Sequence, residues 1–485
     1  MMGKYWVAAA ALAILAALCV LLVFSGWKFG PLVAAIVAVL PVLGYYSLTR
    51  PLVVPYALYV LLLPFDNVLA ISSGATLTKF IGIFSTGAIL LWAIGRRKFV
   101  MPSGTLWLGA LLMIWLAMSM LWALDVKASF NIAPTYVGLF LLYIVLSITP
   151  VNRADFIAIL IAMVAGSLIA SAYGVAVFHG QSVADARALA DNFGRLSVQI
   201  GDNTIDPNAY SDAILLPFCI LLMVGLRSSN FAVKIGSVAG LAVMLGAIYV
   251  SASRGAILAI GAAVAYLILR SRYRLQILAV AVIPAVVTFA ASSYMVDRFA
   301  DAEHTGAAGR FGIWKVGMEA FRQHWLLGAG IGNYRAVYNS VFIQVYQAYS
   351  GGWDRVAHNL LVQVSAELGV IGLAIVLAFW FSNMFLLRHI GPRNEWFDFR
   401  LALEAAVIGL FVAALSIDLI WSKYTWLLFG TMAQLRTLTY SRAPIPKRMA
   451  VMSDIAWGTR AARPELLPKS RPWRAPRRVR KPTCA

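Results

Sequence analysis

Three residues that carry or can acquire a positive charge, Arg195, Arg254 and His358, stand beside long apolar runs of the sequence. A guanidinium group stays charged and offers a planar fork of donors that matches phosphate oxygens. An imidazole titrates near neutral pH and can take a proton from a sugar hydroxyl as that oxygen attacks an anomeric carbon. These residue types predict a site that holds a diphosphate and activates a hydroxyl group.

Each of the three residues also has a purely structural interpretation. Arg254 could anchor a helix end at a membrane interface, Arg195 could be a solvated loop charge, and His358 could be hydrogen-bonded at the interface. Gly255 would let a polar headgroup approach the backbone closely because it lacks a side chain. The local sequence leaves these alternatives open.

The elements that must position these residues are membrane helices. The chain has 485 residues, of which 61% are hydrophobic and 12% charged, whereas an average soluble domain has about 25% charged residues. About 20 apolar residues span the hydrocarbon core as a helix. The sequence therefore predicts an all-α, polytopic transmembrane helix bundle of 12–14 spans. Fourteen candidate spans lie near 5–26, 31–49, 52–71, 76–95, 105–123, 132–149, 155–178, 209–226, 232–250, 255–270, 276–295, 359–387, 401–418 and 420–438.

The orientation follows from Lys and Arg in the short loops, which are enriched on the cytoplasmic side. One set of loops holds most of these residues and the alternate set holds few, and both termini fall on the basic side. We therefore expect both termini in the cytoplasm and two long connections, residues 179–208 and 296–358, outside. The aromatic content of residues 296–358 predicts short amphipathic helices over the outer membrane surface.

The resulting organisation places N-terminal spans in 1–178, further spans in 209–295 and C-terminal spans in 359–441. Residues 442–485 form a proline-containing tail with twelve basic and two acidic residues, half of the chain's net charge of +20. Anionic lipid headgroups attract such a segment by about 1 kcal/mol per basic residue. Membrane lipids are its expected partner, and nucleic acid is not, because nothing in the tail could read a base.

The sequence offers no recognisable metal site. It contains no Asp-x-Asp pair and no His-x-x-x-His motif, and its three cysteines are far apart. Cationic side chains could instead stabilise a leaving diphosphate electrostatically.

Four segments, in order, resemble the O-antigen ligase and polysaccharide polymerase superfamily of bacterial envelope enzymes. They cover roughly residues 190–375 and read GRLSVQIGDNTIDPNAY, SASRGAILAI, GRFGIWKVGMEAFRQHWLLGAGIGNYRAVY and HNLLVQVSAELGVIGL. The resemblance implies a glycosyltransferase of multispan C-type architecture in the bacterial inner membrane, with its active site facing the periplasm. It also implies a metal-independent, inverting reaction that needs no cofactor.

In this family, the arginines that match Arg195 and Arg254 hold the diphosphate of an undecaprenyl-diphosphate-linked glycan. The histidine that matches His358 activates the acceptor, and Arg310 matches a further recurrent position, which makes it a candidate contact to donor or acceptor. The acceptor would be lipid A–core for a ligase. The histidine-led motif at 358 favours this branch.

Two alternatives remain open at this point. A polymerase of the same superfamily would pass the glycan to another lipid-linked repeat. A transporter of lipid-linked glycans would use intramembrane charges as a relay, for which the candidates are Asp66, Glu367, Glu404, Asp418 and Lys423. A transporter should place its polar residues near the bilayer midplane, whereas the cations here gather at predicted outer helix ends.

Overall fold

A computed structural model describes residues 44–66, 69–72, 75–180, 199–200, 203–204, 207–251, 253–282, 310–345, 352–420 and 422–440. The chain divides into two units, Met1–Ser441 and Arg442–Ala485, and all described residues belong to the first. The expectations for Arg195, for the first predicted span at 5–26 and for the basic tail lie outside the described residues.

The described residues fold as an all-α protein. Its N-terminal helices are α1 (Pro55–Leu62), α2 (Leu77–Arg96), α3 (Gly104–Ser119), α4 (Val126–Ile148) and α5 (Arg153–Gly180). The central helices are α6 (Pro207–Arg227), α7 (Phe231–Ser251), α8 (Arg254–Arg270) and the short α9 (Arg274–Ile277). The C-terminal helices are α10 (Arg310–Gln323), α11 (Tyr334–Val345), α12 (Leu360–Leu386), α13 (Phe397–Ala413) and α14 (Lys423–Tyr440).

Strands are confined to two small antiparallel ladders in the described part of the chain. They pair β1 (Ala70–Ser72) with β2 (Ala75–Thr76), and β3 (Gln199–Ile200) with β4 (Asn203–Thr204). Short 3₁₀ helices at Leu63–Phe65 and Met120–Trp122 extend α1 and α3.

Six of the described helices are long and apolar enough to cross a membrane: Leu77–Arg96, Gly104–Trp122, Val126–Ile148, Arg153–Ala176, Phe231–Ser251 and Leu360–Leu386. Large apolar side chains on their outer faces are exposed; for example, Trp107 is 70% exposed and Ile161 is 62% exposed. A helix that is apolar on its outer face as well as its inner face requires hydrocarbon as its solvent. The protein is therefore a polytopic helical membrane protein.

Several of these helices begin at a polar side chain that accepts a backbone N–H of the first turn. Thr76 caps α2, Asp125 caps α4, Ser253 caps α8 and Asn359 caps α12. Such a side chain satisfies one of the orphan donors at a helix start and typically contributes about 1 kcal/mol. The cap of α4 shows that this helix begins six residues before the predicted span at 132–149.

Helix packing produces one large core that includes buried aromatic side chains. Helix α6 packs against α5, α7 and α13, α8 packs against α13, α12 packs against α3, and α14 packs against α4. Phe379 and Trp380 of α12 meet Phe429 of α14 edge to face, with ring centroids 5.3 and 5.5 Å apart. Edge-to-face pairs at this distance add about 0.5–1.5 kcal/mol to the burial of their area.

The region predicted to carry amphipathic helices contains α10 and α11. These two helices and the first turns of α12 share a second, smaller core, which includes Val316, Tyr338, Phe342 and Val362. The side chain of Trp314 donates to the carbonyl of Ala357 at 3.0 Å, so α10 is fixed to the segment that leads into α12.

Helix α12 is broken at Gly369, whose φ is +66°. A loop between α10 and α11 supplies partners for the backbone groups near the break. Ala329 N donates to Ala366 O at 2.9 Å, Gly330 N to Glu367 O at 2.8 Å, and Val370 N to Trp325 O at 2.8 Å. A Cβ on Gly369 would overlap the carbonyl of Leu326, so the loop can approach only a glycine.

The carboxylate of Glu367 reinforces this junction. It accepts the backbone N–H of Gly332 at 3.0 Å and that of Tyr334 at 3.1 Å, at the start of α11. Gln363 donates to the same carboxylate at 3.3 Å. Glu367 was a candidate for a charge relay; in the structure it caps a helix.

The two ends of the bundle differ in chemistry. At one end, which we call the basic end, Arg153 pairs with Glu395 at 2.8 Å and Arg272 pairs with Asp398 at 3.4 Å. At the other, which we call the site end, Lys423 at the start of α14 binds Asp66 at 2.6 Å.

We predict that Glu367→Ala destabilises the protein by leaving the backbone N–H groups of Gly332 and Tyr334 without their acceptor. A buried donor that loses its partner costs about 1–3 kcal/mol. The thermal unfolding temperature of the detergent-purified protein should therefore fall by several degrees. Glu319→Ala, which removes a partly exposed carboxylate from α10, should change it little. An unfolding temperature of Glu367→Ala equal to that of Glu319→Ala would contradict the capping role.

Candidate active site

The segment 414–422, which connects α13 to α14, is the structural centre of the site end. The N–H of Leu360 donates to Ala414 O at 2.7 Å, and the side chain of Asn359 donates to Leu415 O at 3.2 Å. These bonds hold the start of α12 against the connection. His358, which immediately precedes the cap of α12, is therefore fixed beside residues 414–418.

Asp418 lies in this connection and accepts the backbone N–H groups of both His358 and Asn359. The predicted span at 401–418 ends at Asp418, whereas α13 ends at Ala413. Its carboxylate therefore belongs to the turn between two helices, where it can reach the start of a third.

The backbone of His358 is in the left-handed region, with φ of +47°. In the described part of the chain only two other non-glycine residues, Arg97 and Asp354, share a positive φ. A non-glycine residue in this region typically costs about 1–2 kcal/mol. The hydrogen bond to Asp418 and the cap at Asn359 hold the backbone there, and such strain clusters at functional sites.

Arg254 is the first residue of α8, and Ser253 caps that helix. The next residue, Gly255, lies against the same connection: a Cβ on Gly255 would be 2.9 Å from Cβ of Ser416 and 3.0 Å from its hydroxyl oxygen. The glycine thus permits the close approach of Ser416. Ser416 thus occupies space next to Gly255 that the sequence analysis assigns to a polar headgroup.

Arg310 is the first residue of α10 and acts electrostatically on Asp418. Burial raises the pKa of the Asp418 carboxyl to about 6, and the N–H of Asn359, the charge of Arg310 and the N–H of His358 oppose this rise. Oδ1 of Asp418 is buried and has no hydrogen-bond partner among the described residues. A buried carboxylate with an unpartnered oxygen and a raised pKa marks a candidate functional group.

Three of the four predicted site residues thus meet around one connection. Arg254, Arg310 and His358 approach residues 414–418 from the starts of α8, α10 and α12. Arg195 lies outside the described residues. His324 is at the opposite end of α10, about 20 Å from Arg310 at 1.5 Å per residue.

The residues proposed for a transport relay have separate partners. Asp66 and Lys423 form their pair together with the hydroxyl groups of Thr76 and Thr78. Glu404 instead accepts Arg400 Nε at 2.7 Å and the Tyr266 hydroxyl at 2.6 Å. In the described ranges, no hydrogen bond connects the Asp66–Lys423 pair or Glu404 to Asp418.

Comparison with known families identifies this part of the chain. Residues 239–377 match a family model described as O-antigen ligase. The match contains Arg254, Arg310 and His358, three of the residues that meet at the site end. This match at 239–377 supports the resemblance to the O-antigen ligase and polysaccharide polymerase superfamily that the sequence motifs indicate. A search of curated proteins found no match.

Resemblance to this superfamily has a functional consequence at the family level. Its members are glycosyltransferase-like ligases and polymerases, which supports an enzyme at the level of the family. The substrates of the family are lipid-linked glycans and lipid A–core in general terms. In the described residues, no group of three or more His, Cys, Asp and Glu could hold a metal ion; the charged groups at the site are arginines and one carboxylate.

Asp418 was missed as a site residue. The sequence SIDLIW shows an acid at the end of an apolar run, and that signal is shared by interface anchors, relay residues and catalytic groups. The observation that separates Asp418 from the other acids is its pairing with the His358 backbone, which lies 60 positions earlier in the chain.

We predict that Gly255→Ala disrupts the site through packing. The added methyl group must displace Ser416, because its distance to the Ser416 Cβ is below ordinary contact. The connection that holds Asp418 would move, and activity should fall at least about tenfold, since small misplacements of this kind are costly in active sites. Transfer by the purified variant is the measurement.

The double variant Gly255→Ala, Ser416→Gly is the matched control. It restores the lost space and should recover most of the activity. If the single variant is as active as the natural protein, or if the double variant is no better than the single one, the contact does not position the site.

We also predict a pH-dependent contribution of Asp418 to stability. The folded-state pKa is about 6, above the ordinary value of 3.8. Between these values the folded protein binds a proton that the unfolded chain releases, so the free energy of unfolding rises as pH falls from 7 to 5.

Asp418→Asn should lose this dependence, and the exposed Asp354→Asn should keep it. Thermal unfolding of the three proteins across this pH range tests the assignment. Identical pH profiles for the natural protein and Asp418→Asn would contradict it.

Proposed function

We propose that this protein transfers O-antigen polysaccharide from undecaprenyl diphosphate to lipid A–core at the periplasmic face of the bacterial inner membrane. One observation carries the proposal: the arginines and the histidine of the matched family segment converge with Asp418 on the connection between α13 and α14. A cationic cluster beside a strained histidine is suited to a reaction in which a diphosphate leaves and a hydroxyl attacks.

The donor diphosphate is held by Arg254 together with the predicted partner Arg195. Arg254 stands at the start of α8, where the helix dipole favours an anion. Its guanidinium adds charge-assisted hydrogen bonds to phosphate oxygens. Arg310 contributes a further positive charge beside the same connection. These cations stabilise the negative charge that develops as the bond between the anomeric carbon and the phosphate oxygen breaks.

The acceptor hydroxyl is activated by His358. Its imidazole takes the hydroxyl proton while the acceptor oxygen forms the new bond to the anomeric carbon. Undecaprenyl diphosphate leaves with the electron pair of the broken bond. A single displacement of this kind inverts the anomeric configuration and is metal-independent, because the arginines carry the charge stabilisation.

Asp418 acts as a positioning residue in this scheme. Its carboxylate accepts the N–H groups of His358 and Asn359, so it fixes the turn from which the imidazole projects. Because its pKa is about 6, it is mainly ionised at neutral pH and keeps these bonds. Protonation at lower pH weakens them.

The alternative acceptor is another lipid-linked repeat, as in a polysaccharide polymerase. The histidine-led start of α12 and the description of the matching family as O-antigen ligase favour lipid A–core. Both reactions share the donor and the site residues and differ only in the hydroxyl that enters.

Reconstituted transfer with purified undecaprenyl-diphosphate-linked glycan tests the proposal. We expect transfer to lipid A–core and none to a second lipid-linked repeat. His358→Ala should lose about 10²–10⁴-fold of the rate and still bind the donor. Arg254→Ala should lose at least about tenfold in donor use, with partial recovery in Arg254→Lys because lysine keeps the charge and loses the fork.

His324→Ala is the control, since this histidine lies far along α10 from Arg310. It should retain activity near that of the natural protein. Transfer only to a lipid-linked repeat would assign the polymerase reaction instead. Normal turnover by His358→Ala would refute its role as base, and normal turnover by Arg254→Ala would refute its role in donor binding.

A further inference from the structure

A groove of about 800 Å³ opens between α5, α6 and α7 at the basic end, away from the proposed site. Its walls are apolar along most of their length and include Ile157, Ile161 and Val164 of α5. Ile161 is 62% exposed and Ile157 37% exposed. The groove extends along α5 from Arg153 to Leu168, which is about 22 Å at 1.5 Å per residue.

Two arginines stand together at one end of this groove. Arg153 Nη1 binds Glu395 Oε2 at 2.8 Å, and Arg227 Nη1 donates to the carbonyl oxygen of Glu395. Both guanidinium groups also lie over aromatic rings, 5.8 Å from the ring centre of Trp396 and 5.9 Å from that of Phe399. These contacts hold the two cations at the mouth, next to the hydroxyl-bearing Ser228 and Ser229.

The charge and length of the groove select one class of occupant. Two arginines and one carboxylate leave one net positive charge, which complements a single phosphodiester. The apolar part, residues 157–168 of α5, is about 16 Å long at 1.5 Å per residue, which matches one leaflet of the ~30 Å hydrocarbon core, so it can accept an acyl chain. Basic groups between membrane helices, above apolar walls, are suited to anionic lipid headgroups.

We propose that this groove binds an anionic glycerophospholipid. Its phosphate lies between Arg153 and Arg227, where the fork geometry of arginine can bind it. One acyl chain lies along α5 against Ile157 and Ile161. The site is separate from the glycan-transfer site and does not depend on the proposed reaction.

Native mass spectrometry of the detergent-purified full-length protein, titrated with phosphatidylglycerol, tests this inference. The natural protein should bind phosphatidylglycerol at least about tenfold more tightly than phosphatidylcholine of the same chain length. The variant R153Q/R227Q should lose this preference. Ile161→Trp, which fills the apolar part and leaves the arginines in place, should weaken binding of the lipid by a similar factor.

The control R96Q/R388Q removes two other arginines of the basic end that also lie over aromatic rings. It should bind the lipid like the natural protein. Glu395→Gln removes the competing carboxylate and should strengthen binding, which keeps the test informative if R153Q/R227Q does not fold. Inorganic phosphate at the same concentration should not displace the lipid, because it lacks the chain.

Equal binding of the two phospholipids, unchanged binding by R153Q/R227Q, or unchanged or weaker binding by Glu395→Gln would each overturn the proposal. Displacement of the lipid by inorganic phosphate, or failure of phosphatidylglycerol to bind, would also overturn it.

Discussion

The need to satisfy every backbone N–H and C=O group in hydrocarbon governs this structure. An unpartnered group there costs several kcal/mol, so the described chain is helical almost throughout. The break of α12 at Gly369 is possible because the loop after α10 returns to bind the freed groups. Ala329, Gly330 and Trp325 contribute these bonds. Since α10 and α11 flank this loop, the break also fixes both helices to the start of α12, where His358 stands.

The second constraint is the burial of the Asp418 carboxylate. Removing a charge from water is unfavourable unless it is compensated, and burial raises the pKa of this group to about 6. The N–H groups of His358 and Asn359 and the charge of Arg310 partly compensate for this burial. A structural role alone would be served as well by a neutral acceptor such as asparagine. In the proposed function, this carboxylate positions its neighbour His358.

The backbone strain at His358 and the desolvation cost of the Asp418 carboxylate occur at the same contact. The positive φ of His358 aims its N–H, with that of Asn359, at one carboxylate. The close contact of Gly255 with Ser416 holds the connection that carries this carboxylate. Three helix starts are thereby coupled to one short segment, so a small change at any of them is transmitted to the others.

The division of charge between the two ends has a different origin. At the basic end, arginines pair with Glu395, Asp398 and main-chain carbonyls. These pairs stabilise the connections between helices. At the site end, Arg254 and Arg310 stand at helix starts, where helix dipoles increase the positive potential. This arrangement suits the donor diphosphate that is proposed for the site end.

The sequence alone determined the membrane class, the helical fold and the family, because long apolar runs admit few structures in hydrocarbon and the motifs stand in a fixed order. It also predicted Arg254 and His358 as site residues, since a charge beside an apolar run is conspicuous, and the family resemblance added Arg310. It did not reveal that α12 breaks at Gly369, that Glu367 caps α11, or that Asp418 holds the backbone of His358. Those features depend on contacts between residues 33 to 60 positions apart, and only tertiary packing brings such residues within the few ångströms over which hydrogen bonds and desolvation act.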